Sequence, residues 1–177
     1  GIFADPAFIS MFSLEFLKGT EANALAEVHS IVLTERMAKK LFNAIEVVGK
    51  TVKFDNRQEY IVSAVIKDFP VNTDFNKLEW ITPFEVFFKE NEWLKPWGNN
   101  GIQTYVQLDE KASSDAVNKK LNGFIQSKGK ELIAKPFLLS AKDWRLRNNF
   151  VDGKQSGGRI TQVRLFSIIA WIILLIA

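Results

Sequence analysis

The spacing of apolar residues changes several times along the chain, and each change marks an element. Asp5 and Pro6 form an N-cap followed by proline in the first turn, which opens a helix. Phe8, Ile9, Met11 and Phe12, then Phe16 and Leu17, continue the apolar series until Gly19 closes it, so residues 5–17 read as a short helix running into an extended piece. Residues 21–26 are a polar, alanine-rich connection. Val28 to Leu33 reads as a strand with Ile31 and Leu33 on one face and Val32 on the other. Thr34 is a good N-cap, and Glu35 after it complements the helix dipole. Met37, Ala38, Leu41 and Phe42 then make an amphipathic helix that ends near Asn43.

Past a turn-bound apolar link at Val47-Val48-Gly49, the period falls to two. Thr51–Phe54 and Glu59–Ile66 are β-branched and aromatic, and the connection Asp55-Asn56-Arg57-Gln58 predicts a hairpin. Asp68-Phe69-Pro70 ends the second strand, because proline cannot donate to a ladder. Residues 71–76 form a polar loop, Leu78–Ile81 a strand, and Pro83 opens a short helix through Phe88. Residues 89–101 read as an irregular loop, and Gln103–Leu108 alternates like a strand. Ser113 or Ser114 caps a helix carrying Val117, Leu121, Phe124 and Ile125 on one face. Phe137–Leu139 reads as a last strand, and residues 141–159 as a flexible polar approach to the final segment. Strands and helices interleave while at least one hairpin is antiparallel. The predicted fold class is therefore α+β, with mixed β-sheet and packed helices.

The final segment is of another kind. From Leu165 to Ala177 no charge occurs, and the run holds five isoleucines, three leucines and a phenylalanine. On the membrane-insertion scale these favour the bilayer by roughly 3 to 5 kcal/mol. A helix of this length rises roughly 20 Å against a bilayer core of about 30 Å, so about seven more apolar residues would complete a span. The run is apolar on every face rather than along one stripe, which favours the start of a truncated transmembrane helix over a buried core helix. Gly1 is not an initiator methionine and no signal peptide precedes the first elements, so the chain reads as an internal fragment of a longer membrane protein.

Composition adds limits. The length suits one domain or two small ones, and 24% charged with 47% hydrophobic residues is ordinary for a globular protein. Fifteen phenylalanines and five tryptophans supply many large apolar anchors. A net charge of +3 is too slight to imply nucleic acid. Without cysteine there is no disulfide, thiol nucleophile or cysteine metal site.

Candidate chemistry is thin. His29, the lone histidine, reads as a surface or packed residue rather than a catalytic base. Asp68 and Asp74 flank a loop where a hard cation is conceivable, but turn-forming and capping roles fit them better. Asp152-Gly-Lys-Gln-Ser-Gly-Gly-Arg159 lacks P-loop spacing and reads as a juxtamembrane linker. Trp93 and Trp97 could stack on bases or sugars, yet without a basic groove they suit a loop packed on the domain or near a partner surface. Trp80 and Trp144 add no more, and Trp171 sits several residues deep in the apolar run. No catalytic, cofactor-binding or metal-ligating residue is assigned, and no cofactor is expected.

The order of elements resembles a known family. Phe3-x-Asp5-x-x-Phe8-x-x-Met11-Phe12-x-x-x-Phe16-x-x-Gly19 resembles the entry into the porter half of a MacB-like periplasmic core domain. Ile31-Val32-Leu33-Thr34-Glu35-x-x-Ala38-x-x-Leu41-Phe42 and Val48-Gly49-Lys50-Thr51-Val52 follow in the family's order. So do Tyr60-x-Val62-x-Ala64-Val65-Ile66-x-Asp68-Phe69-Pro70 and Thr104-Tyr105-Val106-x-Leu108, and then Val163-x-x-Phe166-x-x-Ile169-Ala170 where the second membrane helix begins. Each motif alone is weak; five in order ahead of a membrane helix are moderately specific. Two departures stand out: Ala64 replaces the usual glycine, and the first membrane helix and opening part of the core domain are absent.

The resemblance implies a porter/sabre-like periplasmic core domain, N-terminally incomplete, over residues 1–158, with a juxtamembrane segment and truncated transmembrane helix over 159–177. It implies an FtsX-like ABC transporter permease in the bacterial inner membrane, with residues 1–158 extracytoplasmic. Its partners would be an ATP-binding subunit, a second permease copy in a dimer, membrane lipid, and a periplasmic or outer-membrane protein, with no nucleic acid. The permease would not be an enzyme, since ATP hydrolysis belongs to the separate subunit, and its task would be export or mechanotransmission. A membrane-tethered α+β module that binds a ligand or protein without transport is the alternative, and it calls for a defined polar pocket. A basic nucleic-acid binder is a third reading, and it calls for steep salt dependence. Arg159 and Arg164 precede the apolar run and by charge alone would sit in the cytoplasm, whereas the family places that end outside.

Overall fold

Residues 1–54, 57–151 and 153–176 are described by a computed structural model, in which the chain forms two units, Gly1–Gln107 and Leu108–Ala177. The first unit contains β1 (Ile2–Ala4), α1 (Ala7–Met11), β2 (Phe16–Lys18), α2 (Glu21–Ala24), β3 (Ser30–Thr34), α3 (Glu35–Phe42), β4 (Thr51–Phe54), β5 (Gln58–Ile66), β6 (Trp80–Pro83) and α4 (Phe84–Glu90). Its strands form one mixed sheet in the order β1-β6-β3-β5-β2, with β4 also paired to β5. β1 runs parallel to β6 and β3 parallel to β5, while β2, β4 and the β3–β6 pair are antiparallel. The α+β class with a mixed sheet and packed helices is what the sequence predicts.

β3 lies at the centre, and all five of its residues are buried. Its alternation feeds two cores. Val32 joins Phe8, Ile9, Ala24, Leu25, Ala64 and Ile81 on one face, where α1 and α2 pack. Ile31 and Leu33 join Ala38, Val47, Tyr60, Val62 and Val86 on the other, where α3 and α4 pack. A strand buried on both faces carries no polar stripe, which is why this one reads as a continuous apolar run.

β5 keeps its partners by a bulge. The register against β3 slips between Ile31↔Val62 and Val32↔Ala64, leaving Ser63 as the extra residue. Because of that slip Val62 faces one core and Ala64 the other, although they are two residues apart. The Ser63 hydroxyl donates to the carbonyls of Ala24 (2.5 Å) or Ile31 (3.2 Å). Gly19, at φ +79°, passes so close that a Cβ there would stand 2.5 Å from the Ser63 carbonyl and 2.9 Å from the Ala64 methyl. The alanine that departs from the family's glycine is thus accommodated by a true glycine opposite it.

The caps of α3 agree with the sequence. The Thr34 hydroxyl accepts from Met37 N–H at 3.3 Å and opens α3, and Asn43 closes it in the left-handed conformation at φ 53°. The N-cap of α1 is Pro6 rather than the expected Asp5, which lies two positions ahead of the helix and accepts from Ala7 N–H through Oδ1 at 2.9 Å. The hairpin of β4 and β5 forms in register, Phe54 opposite Gln58, so β5 starts one residue before the predicted Glu59. Of its predicted connection, Asp55 and Asn56 lie outside the described residues.

Some expectations shift. Val28 and His29 precede β3 rather than belong to it, residues 21–24 form a short helix, and β6 starts at Trp80. Gln103–Leu108 forms no ladder among the described residues, because alternation is a property of one segment while a strand needs a neighbour.

The second unit contains α5 (Ser114–Leu121), β7 (Asn149–Val151), β8 (Lys154–Gly157) and α6 (Arg159–Ile176). Ser113 caps α5 through Ala116 N–H at 3.4 Å. The helix stops at Leu121 and Gly123 takes φ +79°, so Phe124 and Ile125 fall beyond it. Phe137–Leu139 is not a strand; Leu138 N–H donates instead to Asn118 Oδ1 at 2.7 Å. Within 141–159, read as a flexible linker, β7 and β8 form an antiparallel hairpin pairing Phe150 with Gln155. Its strands are three and four residues long and mostly exposed, too short for periodicity to show them; the Asp152-Gly153 dipeptide is the signal that could have. Asp152 itself, like Ala177, lies outside the described residues. α6 is 18 residues long, none of it is buried, and it is the one described helix long and apolar enough to cross a membrane.

Candidate functional site

The main cleft of the first unit, about 550 Å³, lies beside the end of the sheet. β1 and α1 supply one side, with Phe8 and Met11 projecting from the helix; α4 contributes Phe84 and Phe87; and Gly101–Tyr105 closes the remaining side. Phe8 and Phe12 are four residues apart, so the start of α1 and its C-cap bring their rings together at 4.6 Å. Phe75, from the loop after β5, meets Phe12 edge-on at 4.9 Å and Phe8 at 5.4 Å. Tyr105 sets its ring against Phe12 at 5.3 Å. Across the cleft Phe3 stacks on Phe87 at 5.0 Å. Edge-to-face geometry places the positive ring edge on a negative ring face, so these contacts fix orientation as well as bury area.

The polar groups at the cleft are mostly engaged. Asp5 is occupied with the start of α1. The Tyr105 hydroxyl donates to Gln103 Oε1 at 3.0 Å, and burial, then the negative charge of Asp74, raise its pKa. It therefore remains a neutral phenol at physiological pH. Such a surface can hold apolar side chains and main chain, and it presents no nucleophile–base pair.

The residues singled out from sequence are dispersed. His29 is exposed, with its ring 5.8 Å from that of Tyr60 and its carbonyl accepting from Ile61 N–H at 2.9 Å. Asp68 Oδ1 accepts from Arg36 N–H at 3.1 Å, a capping contact delivered to α3 from the far end of β5. Trp80 packs edge-on against Phe3 and Phe54 at 5.6 and 4.9 Å. Trp93 donates to Asn91 Oδ1 at 2.9 Å and lies against Gly101, where a Cβ would come within 2.9 Å of its ring. Trp97 is half exposed, and Trp171 is exposed on α6. Among the described residues no group of three or more His, Asp or Glu could hold a metal ion. The aromatic cleft itself was not foreseen. Phe8 and Phe12 carried a visible helical spacing, but Phe75 and Tyr105 reach it only through the fold.

Two kinds of comparison bear on these features. The sequence profile of the MacB-like periplasmic core domain matches residues 1–124. A crystal structure of a domain assigned to a permease protein from Porphyromonas gingivalis is similar at TM-score 0.53 and 23% identity, over 71% of this chain and 52% of that one. The periplasmic region of MacB from Actinobacillus actinomycetemcomitans aligns at TM-score 0.49 and 20% identity, over 70% of this chain and 53% of that one. The chain thus spans about half the length of the solved structures it matches. No protein of curated function matches it. With the profile covering most of the chain and the mixed sheet carrying the matched motifs, the chain belongs to the MacB-like periplasmic core domain family of ABC transporter permeases.

Proposed function

We propose that this chain is the extracytoplasmic domain of a permease subunit that couples ATP hydrolysis in the cytoplasm to export or mechanotransmission across the envelope. One observation carries the reading: a family-matched core domain and an exposed apolar helix, free of charge after Arg164, stand on the same chain. Residues 1–158 work outside the bacterial inner membrane, and residues 159–177 lead into it. The chemistry is external to the chain, in an ATP-binding subunit, and the permease acts as a dimer. An envelope protein on the outer side is the natural recipient of the motion. The alternative, a tethered binding module without transport, calls for a polar pocket, and the apolar lining of the main cleft favours the first reading.

The 177 residues contain no cysteine, so a thiol introduced among them is the only one in this stretch, and the unsubstituted full-length protein is the labelling control. Val71 is 88% exposed and suits the purpose. In the full-length protein, Val71→Cys is expected to react with a membrane-impermeant maleimide in intact spheroplasts, and its rate to change when ATP replaces a non-hydrolysable analogue. Labelling that appears only after lysis sinks the location. A rate indifferent to nucleotide, in a permease that co-purifies with its ATP-binding subunit, sinks the coupling.

A further inference from the structure

The positive charge of the chain is gathered beside its apolar helix. Residues 141–164 hold six basic side chains, Lys142, Arg145, Arg147, Lys154, Arg159 and Arg164, against Asp143 and Asp152, a net charge of +4 where the whole chain carries +3. The fold draws this charge together. Ile160 N–H, in the first turn of α6, donates to the Leu146 carbonyl at 2.9 Å, and a Cβ on Gly158 would stand 2.7 Å from the same carbonyl. The segment ahead of β7 is thereby held against the start of the helix. Lys154 lies about 10 Å along β8 from Gly157, comparable with the screening length of about 8 Å in physiological salt. Arg147 is paired with Asp143 at 3.1 Å, whereas Lys142, Lys154, Arg159 and Arg164 are exposed and form no ion pair among the described residues. Beside Arg159, a recess of about 340 Å³ is lined by the amide side chains of Asn148, Asn149 and Gln162 and by Gly158, with no carboxylate.

We propose that this basic face docks on the headgroups of anionic phospholipids. The proposal rests on the reading of α6 as a membrane segment. Leu165 opens the uncharged run, so Arg164 stands at its margin and Arg159 about 7.5 Å further out along the helix. The headgroup layer on one side of a bilayer is about 5–8 Å deep, so both guanidinium groups reach phosphate oxygens and the hairpin comes to rest on the same layer. A guanidinium meets a phosphate with two parallel hydrogen bonds, and basic side chains clustered beside a membrane segment add their attractions to an anionic surface. Val151, at the end of β7, leaves 61% of its surface in water, and the boundary of the acyl chains covers such a side chain. An acidic protein would also supply negative charge, but it would have to displace the headgroups that surround α6 at this depth. Lipid is already there and has only to be selected.

The lipid retained by the full-length permease tests it. The protein is equilibrated in detergent micelles holding equal amounts of phosphatidylglycerol and phosphatidylcholine, and the lipid that co-purifies is counted by mass spectrometry. The wild type is expected to favour phosphatidylglycerol. Lys154→Gln/Arg159→Gln/Arg164→Gln is expected to lower that ratio at least threefold, to order of magnitude, and so is salt at about 0.5 M. The charge-preserving Lys154→Arg/Arg159→Lys/Arg164→Lys is expected to keep the wild-type ratio. An equal ratio in the wild type and the neutralised variant overturns the proposal and leaves the basic face to an acidic protein. Loss of the preference in both variants overturns it as well, because the effect then follows from altered structure rather than from charge. Displacement of phosphatidylglycerol by inorganic phosphate, but not by chloride of equal ionic strength, replaces the headgroup surface with a discrete phosphate site and so overturns it too. Micelles have no sides, so the result is independent of the Val71 labelling, and insertion of α6 is read separately from its protection against protease in wild-type vesicles.

Discussion

The two units are built on opposite terms. In Gly1–Gln107 a central strand is buried along its whole length and two apolar clusters lie on either face of the sheet. In the described part of Leu108–Ala177 no residue is buried. Yet the second unit holds the most apolar element of the chain, α6. Apolar content therefore does not decide where a water-excluded core forms; layered geometry does, and a helix apolar on every side has no polar face to turn to water. The first unit supplies its own apolar environment, and α6 asks for one from outside.

The largest test of that contrast is a pair of truncations. Leu33→Ala opens a cavity in the core of the first unit and is expected to cost about 2–5 kcal/mol, while Ile133→Ala at a position 89% exposed stays within about 0.5 kcal/mol. Urea unfolding of the full-length protein in detergent, followed by tryptophan fluorescence, compares them; equal shifts would break the contrast. Next is the demand of α6 for lipid. Ile172→Lys near the middle of the apolar run is expected to oppose insertion of α6 by about 3 kcal/mol and so to shift this segment of the full-length protein from a membrane-spanning to a non-inserted distribution, read by protease accessibility. An unchanged distribution would mean that α6 is covered by protein rather than lipid.

Gly19→Ala sharpens the picture on the side of the first unit. It forces a side chain onto a left-handed backbone and into the Ser63 carbonyl, at an expected cost of about 2 kcal/mol. Removing the Ala64 methyl as well relieves only part of the clash, since the carbonyl remains. The smallest effect is a matched pair of caps. Thr34→Ala is expected to lower global stability by about 1 kcal/mol, because α3 is packed on the sheet. Ser113→Ala removes the same kind of bond from α5, which buries no residue, and is expected to lower local helicity while leaving the unfolding midpoint where it was.

Elements that succeeded from sequence were those whose local pattern and tertiary setting agree. β3 alternates between two cores, Thr34 and Asn43 bracket α3, and β4 and β5 are joined by a short connection, so period, cap and turn each state the outcome. Elements that failed depend on partners. Thr104 to Gln107 has the alternation without the neighbour, whereas Asn149–Val151 and Lys154–Gly157 have each other without the alternation. β1 was missed because three residues carry no period. The cleft was half visible: Phe8 and Phe12 share a helical spacing, but Phe75 and Tyr105 arrive from distant parts of the chain, a relation that no window along the sequence contains.

The pairing of Ile2 with Ile81 also sets an order of events during synthesis. β1 leaves the ribosome ahead of Trp80–Pro83, and its ladder with β6 waits for that segment, by which time the β4–β5 hairpin is already complete and free to form. Contacts so distant in sequence close late and slowly. Throughout that interval Phe3, Phe8 and Ile9 are apolar residues in search of a surface, the condition in which nascent chains are captured by chaperones or by one another. The edge of the sheet is thus the stage of its folding most open to interference.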